Sequence, residues 1–198
     1  MSAAAVEHPL NDEPDLLEEA DRISDRLPGY RVEIIGGVII VSPPADGPHA
    51  QVLTDLTLAF RALHGERTRL LQAVGVWLPD GPSDFAIPDL SIVDADFCEH
   101  EAEYNCYDPA VFRLVLEVTS SNYRNDLRTK VAAYANAKIP VYLIVDRKNE
   151  RIHLLTEPTA NGYATHRVFA PGERLTLPDS VGAEVELAVD ALLTAGRR

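Results

Sequence analysis

The chain has 198 residues, of which 46% are hydrophobic and 25% are charged, a composition typical of one soluble globular domain. Its formal net charge of −13 argues against a broad basic surface for nucleic acid, while a local basic patch or a bound cation stays compatible with it. No apolar run is long enough to span a bilayer, and the acidic start lacks the pattern of a secretory signal. We therefore expect a cytoplasmic protein with no membrane partner, folded as a single domain over residues 1–198, with residues 1–12 flexible.

The first third of the chain predicts two helices and a hairpin. Apolar residues recur at helical spacing over 12–27, which indicates a first helix. Residues 30–42 form two apolar stretches around Gly36-Gly37, a pair typical of a tight hairpin turn. Residues 48–65 predict a second helix that stops at a glycine.

The rest of the chain predicts strands around one more helix. The strands are expected at 69–79, 86–94 and 112–120, then at 140–146, 151–157, 162–170 and 174–178. A third helix is expected over 122–138, and a short last helix over 189–195. A helix between two very apolar strands is a natural crossover, so the pattern indicates an α/β fold with a mixed sheet flanked by helices and further strands near the C-terminus.

Two carboxylates fall inside apolar strands, where acidic side chains are unusual. Side chains alternate along a strand, so Glu117 shares one face with Val115, and Asp89 shares one face with Ser91. If the two strands are neighbours, both carboxylates point into the same space and repel each other. A divalent cation such as magnesium or manganese would remove that repulsion. The alternative is that Asp89 caps a turn, while Glu117 lies at an exposed strand end and pairs with Arg113.

The third helix carries a lysine that could serve the same site. Asp126, Lys130 and Tyr134 are four residues apart and share one stripe of the helix. A lysine directed over a metal site would stabilise a developing anion or help to activate water. The alternative is an exposed ion pair between Asp126 and Lys130, worth ~0.3 kcal/mol. Spacing alone does not decide between them.

The stretches RVEIIGGVIIVSPPADGPHAQV, IPDLSIVD and LVLEVTSSNYRNDLRTKVAAYANAKIPVYLIVD together resemble the Uma2 (DUF820) family. This is a bacterial group classed as endonucleases with a restriction-endonuclease-like, PD-(D/E)XK fold. The resemblance runs from the first hairpin to the late strands. It depends on an ordered set of motifs: a glutamate before a glycine turn, Pro-Asp at a strand, Glu-Val-Thr-Ser at another, then Asp, Lys and Tyr on a helix.

The resemblance implies roles for five residues. Asp89 matches the aspartate of the Pro-Asp motif, and Glu117 matches the second acidic residue; both would be catalytic and would bind Mg²⁺ or Mn²⁺. The parent nuclease pattern has a lysine two residues after that acid, where this chain has Thr119. The resemblance therefore assigns the catalytic amine to Lys130. Glu33 matches the early glutamate and His49 a histidine at the start of the second helix, as additional site residues. No organic cofactor is implied.

The function implied by the resemblance is metal-dependent hydrolysis of nucleic-acid phosphodiester bonds, with DNA as the expected substrate and a homodimer as the expected assembly. Two alternatives stay open. One is a catalytically inactive protein of the nuclease fold that binds a metal or a macromolecular partner. The other is a metal-dependent hydrolase that acts on a small phosphoester.

Overall fold

The computed structural model describes residues 15–119, 125–160 and 162–195. The prediction that residues 1–12 are flexible lies outside the described residues. In the described part, none of the helices is long and apolar enough to cross a membrane.

The described part of the chain contains four α-helices, which pack against the sheets. They are α1 (Leu16–Arg26), α2 (Gly47–Ala59), α3 (Lys130–Asn136) and α4 (Val189–Ala195). Asp15 caps the first of these by accepting the Leu17 N–H, and Asp46 caps the second by accepting the His49 N–H at 2.7 Å. The last helix has the bounds expected from the sequence.

The strands fall into three sheets, and their bounds follow in chain order. They are β1 (Arg31–Ile35), β2 (Val38–Ser42), β3 (Thr68–Gln72), β4 (Gly75–Trp77), β5 (Phe85–Ala86), β6 (Leu90–Asp94), β7 (Cys106–Tyr107), β8 (Phe112–Val118), β9 (Val141–Asp146), β10 (Arg151–Thr159), β11 (Gly162–Phe169), β12 (Arg174–Thr176) and β13 (Glu186–Ala188). The strand orders are β11-β10-β9-β8-β6-β3 in the main sheet, β2-β1-β5-β4-β7 in the second, and β12-β13 in the third. The expected mixed α/β fold with additional strands near the C-terminus is confirmed.

The main sheet is mixed because β8 and β9 pair in parallel while the other strand pairs of this sheet are antiparallel. The connection between these two parallel strands includes α3, as expected for a crossover. Alternation along β8 divides the core. Leu114 and Leu116 pack in a cluster with side chains of α2 and α4, whereas Val115 packs in a cluster with side chains of α3. Glu117 shares the face of Val115 and is therefore directed to the α3 side.

The second sheet places the hairpin beside this face. Gly36 and Gly37 have φ angles of 62° and 71°, the left-handed conformation that the tight turn requires. Alternation directs Val32 and Ile34 into a cluster with Ala20 of α1. The opposite face of β1 carries Arg31 and Glu33. The hairpin therefore presents one cation and one acid toward the main sheet.

Two of the expected strands are wrong as single units. The segment 69–79 divides into β3 and β4, which belong to different sheets, because Ala73 adopts a φ of 52° between them. The segment 86–94 likewise divides into β5 and β6, with Pro88 in the gap, where proline has no N–H for a ladder. The chain uses both breaks to pass from one sheet to the other. Asp89 lies at the second break, directly before β6.

The third helix also differs from the expected range 122–138. Residues 120–124 lie outside the described residues, and Asn125–Thr129 form a π-helical turn before α3 begins at Lys130. The side chain of Asp126 is outside the described part, so the alternative pair of Asp126 with Lys130 is not addressed. Cys98 is exposed and Cys106 is buried, and neither forms a disulfide.

Candidate active site

The strands that carry Asp89 and Glu117 are neighbours. β6 and β8 pair with Leu90 opposite Leu116 and Ser91 opposite Val115. Continuing this register by one residue places Asp89 across from Glu117. Both side chains are almost fully buried, at 3% and 2% exposure. The alternative of an exposed Glu117 paired with Arg113 is wrong, because Arg113 pairs with Asp94 instead.

Asp89 is held by donors from three elements. Its Oδ2 accepts the Val118 N–H at 2.8 Å and lies 3.3 Å from Nε2 of His49, while its Oδ1 lies 2.8 Å from a terminal nitrogen of Arg31. Burial by itself would raise the pKa of this carboxyl. The contacts with His49, Arg31 and the Val118 amide outweigh burial and lower the pKa below its usual value. Asp89 is therefore a carboxylate, although it is buried.

Glu117 is held from the helix side. Its Oε1 accepts a hydrogen bond from Nζ of Lys130 at 2.7 Å and one from the hydroxyl of Tyr134 at 3.1 Å. Burial raises the pKa of Tyr134 well above its usual value, and the neighbouring carboxylates Glu117 and Glu33 raise it further. The Tyr134 hydroxyl consequently stays neutral and acts as a donor that fixes Glu117.

Lys130 connects two acids. Its Nζ lies 2.9 Å from Oε1 of Glu33 and 2.7 Å from Oε1 of Glu117, and the residue is only 3% exposed. The same Oε1 of Glu33 accepts the Ile87 N–H at 2.7 Å. Lys130 is the first residue after the π-helical turn, a feature often found at functional sites. The hairpin acid and the helix amine thus meet at the main sheet.

Arg31, which was not among the site residues predicted from the sequence, completes the cluster. One terminal nitrogen of its guanidinium lies 2.8 Å from Asp89 Oδ1 and 3.9 Å from Glu117 Oε2. Burial would lower the pKa of Arg31, but the nearby carboxylates raise it above its usual value. A usable signal was present in the sequence. Arg31 precedes Glu33 by two residues in a strand, so alternation places both on one face.

Two further predicted positions have clear environments. His49 is buried in the first turn of α2 and faces Asp89, and its Nδ1 has no hydrogen-bond partner in the described part of the chain. Thr119, where the parent pattern has lysine, is buried, and its hydroxyl accepts the Arg147 N–H at 3.0 Å. The amine near the acids is therefore that of Lys130.

The donor set fits a hard divalent cation in its chemistry. Glu33, Asp89 and Glu117 supply carboxylate oxygens, the ligand type that magnesium and manganese prefer. In the conformation described, cationic side chains lie between the acids, and among the described residues no three His, Cys, Asp or Glu side chains converge to hold a metal. The Arg31 guanidinium lies near both Asp89 and Glu117, so in this conformation its positive charge offsets the repulsion between the two acids.

Comparisons with known proteins identify the family and the fold. The sequence model of the Uma2 family, described as "Putative restriction endonuclease", matches residues 17–190. A crystal structure from Anabaena variabilis, titled a "putative nuclease belonging to DUF820", superimposes with a TM-score of 0.64 at 15% identity, over 83% of this chain and 90% of that one. At this identity the likeness concerns the fold. No curated protein matches the sequence.

Proposed function

Since the chain belongs to the Uma2 family, we propose that it is a metal-dependent endonuclease that hydrolyses phosphodiester bonds of nucleic acid. A single observation carries the proposal: Asp89, Glu117 and Lys130 form one buried cluster, in which Lys130 Nζ lies 2.7 Å from Oε1 of Glu117. Burying two acids and an amine costs folding free energy unless they are paired. A catalytic role in phosphodiester hydrolysis would explain why all three charged groups are buried together despite this cost.

In this proposal Asp89 and Glu117 would hold Mg²⁺ or Mn²⁺. Such a cation, when bound, supplies positive charge to the phosphodiester and lowers the pKa of the attacking water. Lys130 contributes a second positive charge beside Glu117, where it offsets the charge that grows on the phosphate and orients the water by hydrogen bonding. The catalytic residues are therefore Asp89, Glu117 and Lys130.

The remaining members of the cluster position these groups. Glu33 holds the Lys130 amine and is itself held by the Ile87 N–H. Tyr134 donates to Glu117 and fixes the direction of that carboxylate. His49 faces Oδ2 of Asp89, the oxygen that also accepts the Val118 N–H. Groups held from several elements lose little reorganisation free energy during a reaction, which is the basis of electrostatic catalysis.

A cleavage assay tests the proposal. Single-stranded and duplex DNA and RNA are incubated with the protein at low salt, because an acidic chain binds nucleic acid weakly. We expect cleavage with Mg²⁺ or Mn²⁺ and none with EDTA. Glu117→Gln keeps the size of the side chain but removes its charge, and should lower the rate on the order of a thousandfold, equivalent to several kcal/mol of transition-state stabilisation.

The matched control is Glu99→Gln, which removes one carboxylate from an exposed turn away from the cluster. It should cleave at the parent rate, and circular dichroism should show all three proteins folded. If calorimetry detects metal binding but no nucleic acid is cut, a binding role would replace the nuclease role. DNA as the preferred substrate, a homodimer and a cytoplasmic location are the finer parts of the proposal. Competition between DNA and RNA, light scattering and cell fractionation test them in turn.

A further inference from the structure

A cavity of about 300 Å³ opens beside the carboxylate cluster, between α1, the start of β1 and the β4–β7 edge of the second sheet. We call it the Arg31 cavity. Residues that line it include Ser24, Tyr30, Arg31, Phe85, Tyr104 and Asn105. Its volume is at the lower end of small-molecule sites, which suits a ligand of about the size of one nucleotide.

The Arg31 cavity adjoins the proposed active site through two of its lining residues, although the acids themselves do not line it. Two of its lining residues contact the acids directly. The guanidinium of Arg31 lies 2.8 Å from Asp89, and the Ile87 N–H donates to Glu33 at 2.7 Å. The Arg31 side chain is 27% exposed, whereas Asp89 is 3% exposed, so Arg31 is the member of this pair that solvent reaches. A phosphate beside Asp89 would therefore have a cavity next to it.

The walls of the cavity suit a flat, neutral ring. Phe85 is buried, and the ring of Tyr104 lies 4.9 Å from it between centroids. Tyr30 is 43% exposed and contributes a third aromatic ring to the lining. Asn105 is exposed and brings an amide that can both donate and accept hydrogen bonds. Aromatic faces with a nearby amide are the groups that proteins use to bind unpaired bases.

The charge of the lining is also distinctive. The chain has 31 acidic residues against 18 basic ones, yet none of the described residues that line this cavity is acidic, and Arg31 is basic. Asp21 of α1 is not among the lining residues but accepts a hydrogen bond from the Tyr104 hydroxyl, and the charge of Asp25 also acts on that hydroxyl. The lining itself thus presents one cation and aromatic rings and no carboxylate, and the charge of that cation is paired with Asp89.

The backbone around the cavity is strained. Ala73, Tyr104 and Asn105 have φ angles of 52°, 57° and 54°, a left-handed conformation that residues other than glycine seldom adopt. They make up three of the six such residues in the described chain. Strained residues of this kind persist only where the surrounding structure holds them in place, and they are frequent at ligand-binding sites.

We propose that the Arg31 cavity binds one unpaired base of the nucleic-acid strand, next to the phosphate that is cleaved. The inference rests on the proposed nuclease function and adds a substrate class to it. The base packs against the aromatic walls, Asn105 bonds its edge, and Arg31 contacts the adjoining phosphate. A base inside a duplex cannot enter such a cavity without leaving the stack. The substrate is therefore single-stranded or locally unpaired.

The test measures nucleotide binding without turnover. Calorimetry in EDTA compares adenosine and thymidine 5′-monophosphates with ribose 5-phosphate, which carries the phosphate but no base. The parent should bind a nucleoside monophosphate roughly tenfold more tightly than ribose 5-phosphate, the size of effect that stacking of one base gives. Equal affinity for the two classes of ligand would overturn the proposal.

Two variants locate the binding. Ser24→Trp fills the cavity from an exposed position on α1, and Tyr30→Ala removes an exposed aromatic wall. Each should abolish the tenfold preference for the base. The matched controls are Thr54→Trp and Leu58→Ala, exposed positions on α2 outside the cavity lining, which should keep it. If Ser24→Trp fails to fold, Tyr30→Ala decides the question alone, since Tyr30 is 43% exposed and its truncation leaves no buried cavity in the core.

The outcome separates this inference from the nuclease proposal. Suppose the parent cleaves nucleic acid and neither cavity variant changes the preference for the base. The base site is then wrong, while the nuclease function stands. Suppose instead that nucleotides bind in the cavity and no strand is cut under any metal condition. The nuclease function is then wrong, and the cavity remains as a nucleotide site.

Discussion

Two buried carboxylates, Asp84 beside the hairpin turn and Glu117 on the main sheet, are satisfied in different ways. Asp84 is 1% exposed, and its oxygens accept the N–H groups of Gly36 and Gly37 at 2.6 and 3.0 Å. Glu117 is 2% exposed, and its Oε1 accepts from the side chains of Lys130 and Tyr134. Burial is equal in the two cases. Asp84 ties a turn with backbone amides, whereas Glu117 is held by side chains of a distant helix.

The difference shows which buried acid has functional value. Backbone N–H groups cannot leave the Gly36-Gly37 turn without unfolding it, so Asp84 is a structural acid. Side-chain cations can move, and Arg31 is partly exposed beside Asp89 and Glu117. An acid whose partner can move is able to exchange that partner for a metal ion or a substrate. Burial alone does not distinguish the two classes of acid; the kind of partner does.

The largest effect is expected at Lys130. Lys130→Met removes a buried cation and leaves Glu33 and Glu117 without the amine between them. Removing one partner of a buried ion pair costs about 3–5 kcal/mol, so the free energy of unfolding should fall by that amount in urea titrations. Lys138→Met, which neutralises an exposed lysine just after α3, should change it by less than about 0.5 kcal/mol.

A second substitution sharpens this result. Lys130→Met leaves the carboxylates of Glu33 and Glu117 without their shared amine. Adding Glu33→Gln neutralises one of these carboxylates, so it should recover part of the lost stability without restoring cleavage. Additive losses in the double variant would mean that Glu33 and Lys130 do not act as a pair.

Substitution of Asp84 should lower stability but leave catalysis unchanged. Asp84→Ala removes the acceptor of two backbone N–H groups, and hydrogen bonds to a charged group contribute about 1.5–3 kcal/mol. We expect a loss of that size in the free energy of unfolding, together with an unchanged specific activity of the folded protein. A loss of activity larger than the loss of folded protein would place Asp84 with the functional acids.

Arg31 tests whether a movable cation competes with a metal ion. Arg31→Gln removes the charge that lies between Asp89 and Glu117. Mn²⁺ should then bind roughly tenfold more tightly, equivalent to about 1.4 kcal/mol, and the metal should raise Tm by more than in the parent. Calorimetry and thermal unfolding measure both quantities without any substrate. Unchanged Mn²⁺ affinity would show that Arg31 does not compete with the metal ion for Asp89 and Glu117.

The smallest effect concerns Asp46, an exposed acid that caps α2. Partial burial would raise its pKa, but the His49 N–H and Arg147 outweigh burial and lower the pKa below its ordinary value of 3.8. A lowered pKa means that the charge stabilises the fold above about pH 3.8 and that this stability is lost as the pH falls below it. Asp46→Asn should therefore cost less than about 1 kcal/mol at pH 7.

Unfolding at a series of pH values checks this prediction. The difference between parent and Asp46→Asn should shrink toward zero as the pH is lowered through the acidic range. Asparagine and aspartate cap helices about equally well, so the substitution isolates the charge. A difference that stays constant with pH would show that the charge of Asp46 is not its cause.

Local pattern determined much of the fold. Alternation along 112–118 placed Glu117 on the face opposite Leu114 and Leu116, as the structure has it. Gly36-Gly37 predicted the hairpin because few other residue pairs tolerate positive φ angles. Helical spacing left the role of Lys130 open, and the resemblance to the Uma2 family indicated it as the amine that accompanies Asp89 and Glu117. The strand face and the hairpin depend on residues that are close in sequence, whereas the motif set spans about 100 residues.

Tertiary structure decided the rest. The segments around Ala73 and Pro88 read as continuous strands, but each divides between two sheets, because the sheet that a strand joins depends on long-range pairing and not on its own composition. Arg31 has no motif of its own and gains its position only when the hairpin packs against the main sheet. The Arg31 cavity is likewise formed by segments up to about 80 residues apart, so no local pattern could reveal it.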